Sequence, residues 1–190
     1  MKTTDIKGVA IIPAKTDSTR LKKKNLRVIA GKTLVEHAID YAKNGNLIKY
    51  IIVTTESDEV REIAKKYEDV MVFDRDESYM GEREVADVYV NVIQNDIYDP
   101  NQHSGIKENG SILTEDLKNV THIVGVQPDH PDRTQDLDSL LEYAVENKYD
   151  DLFTIDNKGT RNGSVRIMKK EFVESGEISR RVGSFVDNCT

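Results

Sequence analysis

Short apolar strands that alternate with helical patterns are the feature that most constrains the fold of this chain. Residues 7–14, 50–55 and 121–126 have the short, apolar character of strands that are covered on both faces. Residues 33–43 place apolar side chains at a helical spacing, and Asn44-Gly45-Asn46 ends this predicted helix. The alternation predicts an α/β fold, a Rossmann-like three-layer sandwich around a mostly parallel sheet.

The rest of the chain continues this pattern with one exception. Further helices are predicted over 57–67 (with Ser57 as the cap), over 84–97 and from Thr134 onward, and further strands over 70–73, 152–155 and 164–168. Residues 99–119 are polar and long for a connection, so we expect them to form an insertion. Because no repeat or linker divides the chain, residues 1–190 are predicted to form a single domain.

Charge and cysteine content exclude several classes of function. The net charge of -7 argues against general nucleic-acid binding, which needs a broad basic face. The apolar runs are too short to span a membrane, and the N-terminus lacks the pattern of a secretion signal. The single cysteine, Cys189, cannot form an internal disulfide, which fits a reducing compartment. We therefore expect a cytoplasmic protein that binds neither nucleic acid nor a membrane.

A basic loop follows the first predicted strand of this acidic chain. Its five cationic side chains are Lys15, Arg20, Lys22, Lys23 and Lys24. Ligands of a parallel α/β sheet bind at the carboxyl ends of the strands, so the loop is placed to hold an anion. A solvated basic turn is the alternative.

Two common phosphate-binding loops do not fit this segment. A dinucleotide fingerprint needs three glycines in the turn, and residues 9–30 contain none. The Gly31-Lys32-Thr33 triplet looks like the end of a Walker loop, but that motif requires a glycine at the position of Leu26. Neither of these two loops therefore explains the segment.

The opening motif, "IIPAKTDSTRLKKKNL…AGKTLVEHAI", resembles the N-terminal signature of the cytidylyltransferases that make CMP-activated acidic sugars, the CMP-neuraminate and CMP-deoxyoctulosonate synthetases. The positions that fall on that pattern are Ser18, Arg20, Lys24, Asn25, Gly31 and Leu34. Lys15 stands where an arginine is usual, so the charge is kept but the bidentate fork is lost. The resemblance implies a fold of the nucleotide-diphospho-sugar transferase type.

Two later motifs extend the resemblance. "VQPDHPDRT", residues 126–134, combines features of the neuraminate and octulosonate branches, and it implies that Asp129 binds magnesium. "FVDN", residues 185–188, resembles the family segment that supplies a second metal carboxylate, here Asp187. The alternative for Asp129 is a turn residue between two prolines.

A third motif, "NGSVRI" over residues 162–167, resembles the family segment that returns the chain to the sheet, although an ordinary Asn-Gly turn explains it equally well. The resemblance implies that Arg161, which precedes this motif, faces the sugar acid. Between Phe153 and Asn162 the chain is shorter than the family, which usually has there a segment that covers the sugar and builds the dimer.

The resemblance implies transfer of CMP from CTP to an acidic sugar such as a neuraminate or an octulosonate, with release of pyrophosphate, Mg²⁺ as cofactor and a possible homodimer. The implied site consists of phosphate-holding cations (Lys15, Arg20, Lys24), nucleotide contacts (Ala14, Ser18, Asn25, Arg75, Asp87, Gln127) and metal carboxylates (Asp129, Asp187).

Several alternatives stay open at this point. Arg75 has a surface ion pair with Asp74 or Asp76 as its alternative, and Asp87 has the role of a solvated helix residue. The chain could use another nucleotide or acceptor, or be a nucleotide-binding module with little catalysis. No histidine has a cysteine or histidine partner at zinc spacing, so no zinc site is predicted.

Overall fold

The computed structural model describes residues 5–16, 23–75, 88, 89, 92, 117–175 and 180–189. Within these residues, the strands are β1 (Gly8–Pro13), β2 (Val28–Ile29), β3 (Lys32–Thr33), β4 (Ile48–Thr55), β5 (Val70–Asp74), β6 (His122–Val126), β7 (Asp151–Ile155), β8 (Arg161–Lys169) and β9 (Val182–Val186). Seven of them form one sheet in the order β5-β4-β1-β6-β8-β7-β9, and β2 and β3 form a separate ribbon.

The described helices are α1 (Leu34–Lys43), α2 (Asp58–Ala64), α3 (Leu137–Glu146) and α4 (Lys170–Ser175), with a short 3-10 turn over Lys24–Leu26. Helix α1 begins where predicted because Thr33 and Glu36 form a reciprocal capping box. Ser57 caps α2 by accepting a hydrogen bond from the N–H of Val60, as predicted. In the described part of the chain, none of the helices has the length and apolar character needed to cross a membrane.

Strand direction confirms the mostly parallel sheet. The β1 strand pairs in parallel with β4 and β6, β4 pairs in parallel with β5, and β7 pairs in parallel with β9. Only β8 runs the other way in this sheet, antiparallel to both β6 and β7. A short turn joins β7 to β8, in which Asp156 accepts hydrogen bonds from the N–H groups of Lys158 and Thr160 at 2.8 Å. Such a turn can only join antiparallel strands.

Apolar side chains cover both faces of the sheet, as the sequence predicts. In β1, Ala10 and Ile12 point to one face, while Val9 and Ile11 point to the other. The first face packs against the apolar sides of α1, α2 and α3. The second packs against Tyr89 and neighbouring apolar side chains, including one from α4. This arrangement is a three-layer α/β sandwich.

Some predictions differ from the structure or fall outside it. Helix α3 begins at Leu137 rather than at Thr134, because Asp136 caps it by accepting a hydrogen bond from the N–H of Ser139 at 2.9 Å. Strand β9 and helix α4 were not predicted. Most of the predicted helix over 84–97 and of the insertion over 99–119 lies outside the described residues.

Candidate nucleotide site

The end of β1 is fixed by its neighbour β4. The backbone N–H of Ala14 donates to the carbonyl of Thr54 at 2.9 Å, and the hydroxyl of Thr55 donates to the carbonyl of Ala14 at 2.8 Å. Because both backbone groups of Ala14 already have protein partners, Ala14 defines where the loop leaves the sheet. A direct contact of Ala14 with a nucleotide stays a prediction.

The two ends of the basic loop are held together. Glu56, directly after β4, accepts hydrogen bonds from the backbone N–H and the hydroxyl of Thr16 at 2.5 and 2.9 Å. The amide of Asn25 donates to the carbonyl of Lys15 at 2.7 Å, and the N–H of Lys23 donates to the carbonyl of Thr16 at 3.3 Å. Asn25 is buried, so it shapes the loop from within.

The middle of this loop, residues 17–22, lies outside the described residues, and so do the predicted site residues Ser18 and Arg20. The sequence reasoning missed Glu56. The sequence contained a signal for this residue. Glu56 is an acid that directly follows a buried strand, at the edge of the sheet where ligands are predicted to bind.

The structure brings together Lys24 and Asp129, a predicted phosphate-holding cation and a predicted metal carboxylate. Lys24 lies in the 3-10 turn, Asp129 lies in the turn after β6, and the Nζ of Lys24 donates a hydrogen bond to Oδ2 of Asp129. Burial raises the pKa of Asp129, but the hydrogen bond from Lys24 and the nearby charges of His130 and Lys24 outweigh it and lower the pKa overall. Asp129 is therefore ionised at neutral pH and partly accessible to solvent.

The second predicted metal carboxylate, Asp187, has a different environment. Its side chain is fully buried, and one carboxylate oxygen accepts hydrogen bonds from the N–H and the hydroxyl of Thr134 at 2.9 and 2.8 Å. The other oxygen accepts from the hydroxyl of Ser164 at 3.1 Å. A buried carboxylate needs such donors, and Asp187 still has lone pairs for a cation. These hydrogen bonds join the end of β9 to β8 and to the turn before α3.

Arg133 organises the turn that carries Asp129. Its guanidinium donates to the carbonyls of Gln127, His130 (2.5 Å) and Ser164 (3.2 Å), and it lies 4.9 Å from the centre of the Tyr41 ring. Burial lowers the pKa of Arg133, which nevertheless stays charged in any protein. Arg133 is part of the "VQPDHPDRT" motif, but no role was predicted for it.

Gln127 lies beside a glycine whose identity the backbone requires. The N–H of Gln127 donates to the carbonyl of Ser164 at 3.1 Å. Gly163 has a φ of +75°, and a Cβ there would lie 3.3 Å from the Nε2 atom of Gln127. The Asn-Gly step lies inside β8, near its start, and lets the backbone pass close to the Gln127 side chain.

Arg75 is buried rather than at the surface. Its residue is 9% exposed, its N–H donates to the carbonyl of Thr55 at 3.0 Å, and Asp74 forms its ion pair with Arg61 instead. The alternative of a surface pair with Asp74 is therefore wrong. Asp76 and the predicted base contact Asp87 lie outside the described residues.

Tyr89 is a buried residue of this region that the sequence reasoning did not select. Its ring lies directly against Gly125 of β6, where any Cβ would overlap it. Burial raises the pKa of Tyr89 far above its ordinary value. Arg161, the predicted contact of the sugar acid, is exposed and lies 3.5 Å from the centre of the Phe153 ring.

Comparison with known proteins shows what this chain is similar to. Residues 9–99 match the family model described as cytidylyltransferase. Over 100 residues the chain is 33% identical to the 3-deoxy-manno-octulosonate cytidylyltransferase of Koribacter versatilis, an alignment that covers 48% of this chain and 38% of that protein. Over 100 residues it is 30% identical to the pseudaminic acid cytidylyltransferase of Campylobacter jejuni, covering 50% of this chain and 43% of that protein.

The chain thus spans about two fifths of the length of these curated relatives in the alignments. Its fold is similar to that of CMP:2-keto-3-deoxy-manno-octonic acid synthetase solved in complex with CTP, with a TM-score of 0.62, 13% identity, and coverage of 95% of this chain and 90% of that chain. The resemblance to the cytidylyltransferases that make CMP-activated acidic sugars is confirmed.

Proposed function

We propose that this chain transfers CMP from CTP to an acidic sugar and releases pyrophosphate. The observation that carries the proposal is the ion pair of Lys24 with Asp129 at the carboxyl edge of the sheet. A phosphate-holding cation and a metal-holding carboxylate must meet at one place for nucleotidyl transfer, and parallel sheets bind their ligands at this edge. The names of the aligned relatives support the same reaction class.

In the proposed reaction, a hydroxyl of the sugar attacks the α-phosphorus of CTP, the new P–O bond forms, and the bond to the β-phosphate oxygen breaks. The protein's task is to hold the triphosphate still and to neutralise the charge that develops on it. Lys15, Arg20 and Lys24 bind the β- and γ-phosphates, with Ser18 as a neutral donor. Asn25 keeps the loop in shape by holding the carbonyl of Lys15.

Asp129 and Asp187 are the proposed ligands of Mg²⁺, which supplies charge neutralisation at the phosphate oxygens when bound. Carboxylate oxygens are the ligands that this ion prefers, so both residues fit it chemically. The ion pair keeps Lys24 and Asp129 satisfied until the substrates bind. We expect Lys24 to turn from Asp129 to a phosphate, which frees the carboxylate for the metal.

Base and ribose recognition is assigned to Arg75, Asp87 and Gln127. The low exposure of Arg75 favours a role in an enclosed site, because a buried guanidinium discriminates between ligands more sharply than an exposed one. An acidic sugar is the proposed class of acceptor, with Arg161 near it as the cation for the sugar carboxylate. A homodimer is part of the same proposal.

The test is release of pyrophosphate, measured with CTP, UTP, ATP and GTP, each with a panel of acidic sugars and Mg²⁺. We expect turnover with CTP and at least one acidic sugar, and loss of turnover in Asp129→Asn. Asp69→Asn is the matched control, because Asp69 is an exposed acid that pairs with Lys43. Turnover with a different nucleotide, or CTP binding without turnover on any acceptor, would contradict the proposal and favour one of its alternatives.

A further inference from the structure

Three side chains of different chemistry meet beside the candidate nucleotide site. His130 and Asp132 lie in the turn between β6 and α3, and Cys189 follows β9. Each offers one possible ligand atom, and these three atoms all lie within 4.8 Å of one another. The group does not include Asp129 or Asp187, the proposed magnesium ligands.

We propose that His130, Asp132 and Cys189 form a binding site for a borderline-soft divalent cation such as Zn²⁺. A donor set of one nitrogen, one oxygen and one sulfur is typical of zinc, whereas magnesium prefers oxygen ligands alone. Three protein ligands leave a fourth position for solvent. The ligand atoms of tetrahedral zinc lie about 3.5 Å apart, so atoms within 4.8 Å of one another must close by at most about 1.3 Å around the ion.

Burial gives this site a closed side and an open side. Cys189 is buried and Asp132 is exposed, so a cation can enter past the carboxylate and reach the sulfur. The amide of Asn162 donates to the Sγ atom at 3.4 Å and holds the Cys189 side chain in place.

The orientation of His130 is the second observation that points to a ligand. Its Nδ1 atom is buried and has no hydrogen-bond partner among the residues that the structure describes. Its other ring nitrogen, Nε2, lies 3.7 Å from a carboxylate oxygen of Asp129. Metal-binding histidines usually direct the second ring nitrogen to a carboxylate, which fixes the tautomer and the ring orientation. We assign Nδ1 as the ligand atom, because it is the buried ring nitrogen without a hydrogen-bond partner among the described residues.

The test uses the single cysteine as a spectroscopic label. Because Cys189 is the only cysteine in the sequence, thiolate-to-cobalt charge-transfer absorption on Co²⁺ titration reports this sulfur alone. We expect a band that saturates at one Co²⁺ per chain, is displaced by Zn²⁺ and is absent in Cys189→Ser. His130→Gln and Asp132→Asn should each weaken Co²⁺ binding by at least about tenfold. His37→Gln is the control and should leave Co²⁺ binding unchanged, since His37 lies in α1 and its Nε2 atom contacts the carbonyl of Ile29 at 2.7 Å.

Absence of the band in the unmodified chain at excess Co²⁺ would overturn the proposal. Undiminished affinity in both His130→Gln and Asp132→Asn would also overturn it, because the thiol would then bind cobalt without the cluster. Asp132 is exposed, so its variant keeps the fold even if Cys189→Ser does not. The titration contains no CTP and no sugar, so its outcome is independent of the proposed reaction.

Discussion

The two ends of strand β6 differ in the charge state of a titratable side chain. At the carboxyl end, Asp129 is kept ionised by its ion pair with Lys24, in spite of partial burial. At the amino end, burial and the nearby charge of Lys169 lower the pKa of His122 to about 4, which keeps this side chain neutral. One strand thus has an ionised carboxylate beyond the end where the proposed chemistry takes place, and a histidine that is kept neutral at the other end. The ion pair with Lys24 keeps Asp129 charged, and desolvation keeps His122 neutral.

The largest effect is expected from removing the cation at the charged end. Lys24→Met should reduce kcat/KM for pyrophosphate release about 10²- to 10³-fold, because one preorganised charge on the reacting phosphates is lost. Its effect on the free energy of unfolding should stay below about 1 kcal/mol, since the pair is partly exposed. Lys23→Met, at an exposed neighbour that pairs with Glu59, is the control. Equal activity of the two variants would show that Lys24 has no special part in the reaction.

A second large effect is expected from the buried carboxylate near the charged end. Asp187→Ala removes the acceptor for both donors of Thr134 and for the hydroxyl of Ser164. Leaving these groups without their acceptor should cost about 3 kcal/mol of unfolding free energy, as measured in urea. Asp138→Ala, which removes an acceptor for the N–H groups of Asn46 and Leu47 at a more exposed position, should cost less. The reverse order would mean that Asp187 is not a structural anchor.

His122, at the amino end of β6, predicts that the stability of the chain depends on pH. The pKa of His122 is about 4 in the folded chain and 6.5 as its ordinary value, so the unfolded chain binds the proton first as pH falls. The stability that neutral His122 contributes is therefore present above pH 6.5 and is lost progressively down to about pH 4. The loss totals about 3 kcal/mol if the full shift is realised. Unfolding in urea at several pH values, compared between the unmodified chain and His122→Gln, measures it. If the unfolding free energy falls equally with pH in both proteins, His122 does not cause the pH dependence.

The smallest effect concerns the ion pair itself. The pKa of Asp129 is lowered in the folded chain, so its contribution to stability is present above its ordinary pKa of 3.8 and is lost as pH falls below that value. Lys24→Met should raise this folded pKa, so less of that stability exists to be lost. The difference between the two acid titrations of stability should be at most about 1 kcal/mol. Identical titrations would mean that Lys24 does not hold the Asp129 charge.

The parts of the molecule that sequence could predict depend on local pattern. Strands β1, β4 and β6 are short apolar runs, helix α1 has apolar side chains at a helical spacing, and the capping residues of this helix lie within a few positions. The meeting of Lys24 and Asp129 was also implied, because loops that follow neighbouring parallel strands share one edge of the sheet. Strand β9 lies at the edge of the sheet with Val182 and Val186 half-exposed, so its pattern was weak.

The parts that could not be predicted depend on partners far apart in the chain. Asp136 rather than Thr134 caps α3, while the N–H and the hydroxyl of Thr134 donate to Asp187, 53 residues away. Arg133 acts on backbone carbonyls, which leave no signature in side-chain patterns. The neighbourhood of Cys189 and His130 likewise arises only when the end of β9 packs against the turn after β6.

The most direct test of the account is the melting temperature of the chain with each of CTP, UTP, ATP and GTP, with and without Mg²⁺, in the unmodified protein and in Lys24→Met. Binding to the native state raises the melting temperature according to affinity and ligand concentration. A triphosphate site at the Lys24–Asp129 edge predicts an increase in melting temperature with CTP that grows when Mg²⁺ is added and shrinks in Lys24→Met but not in Lys23→Met. No increase with any nucleotide, or the same CTP response in all three proteins, would contradict a triphosphate site at the Lys24–Asp129 edge.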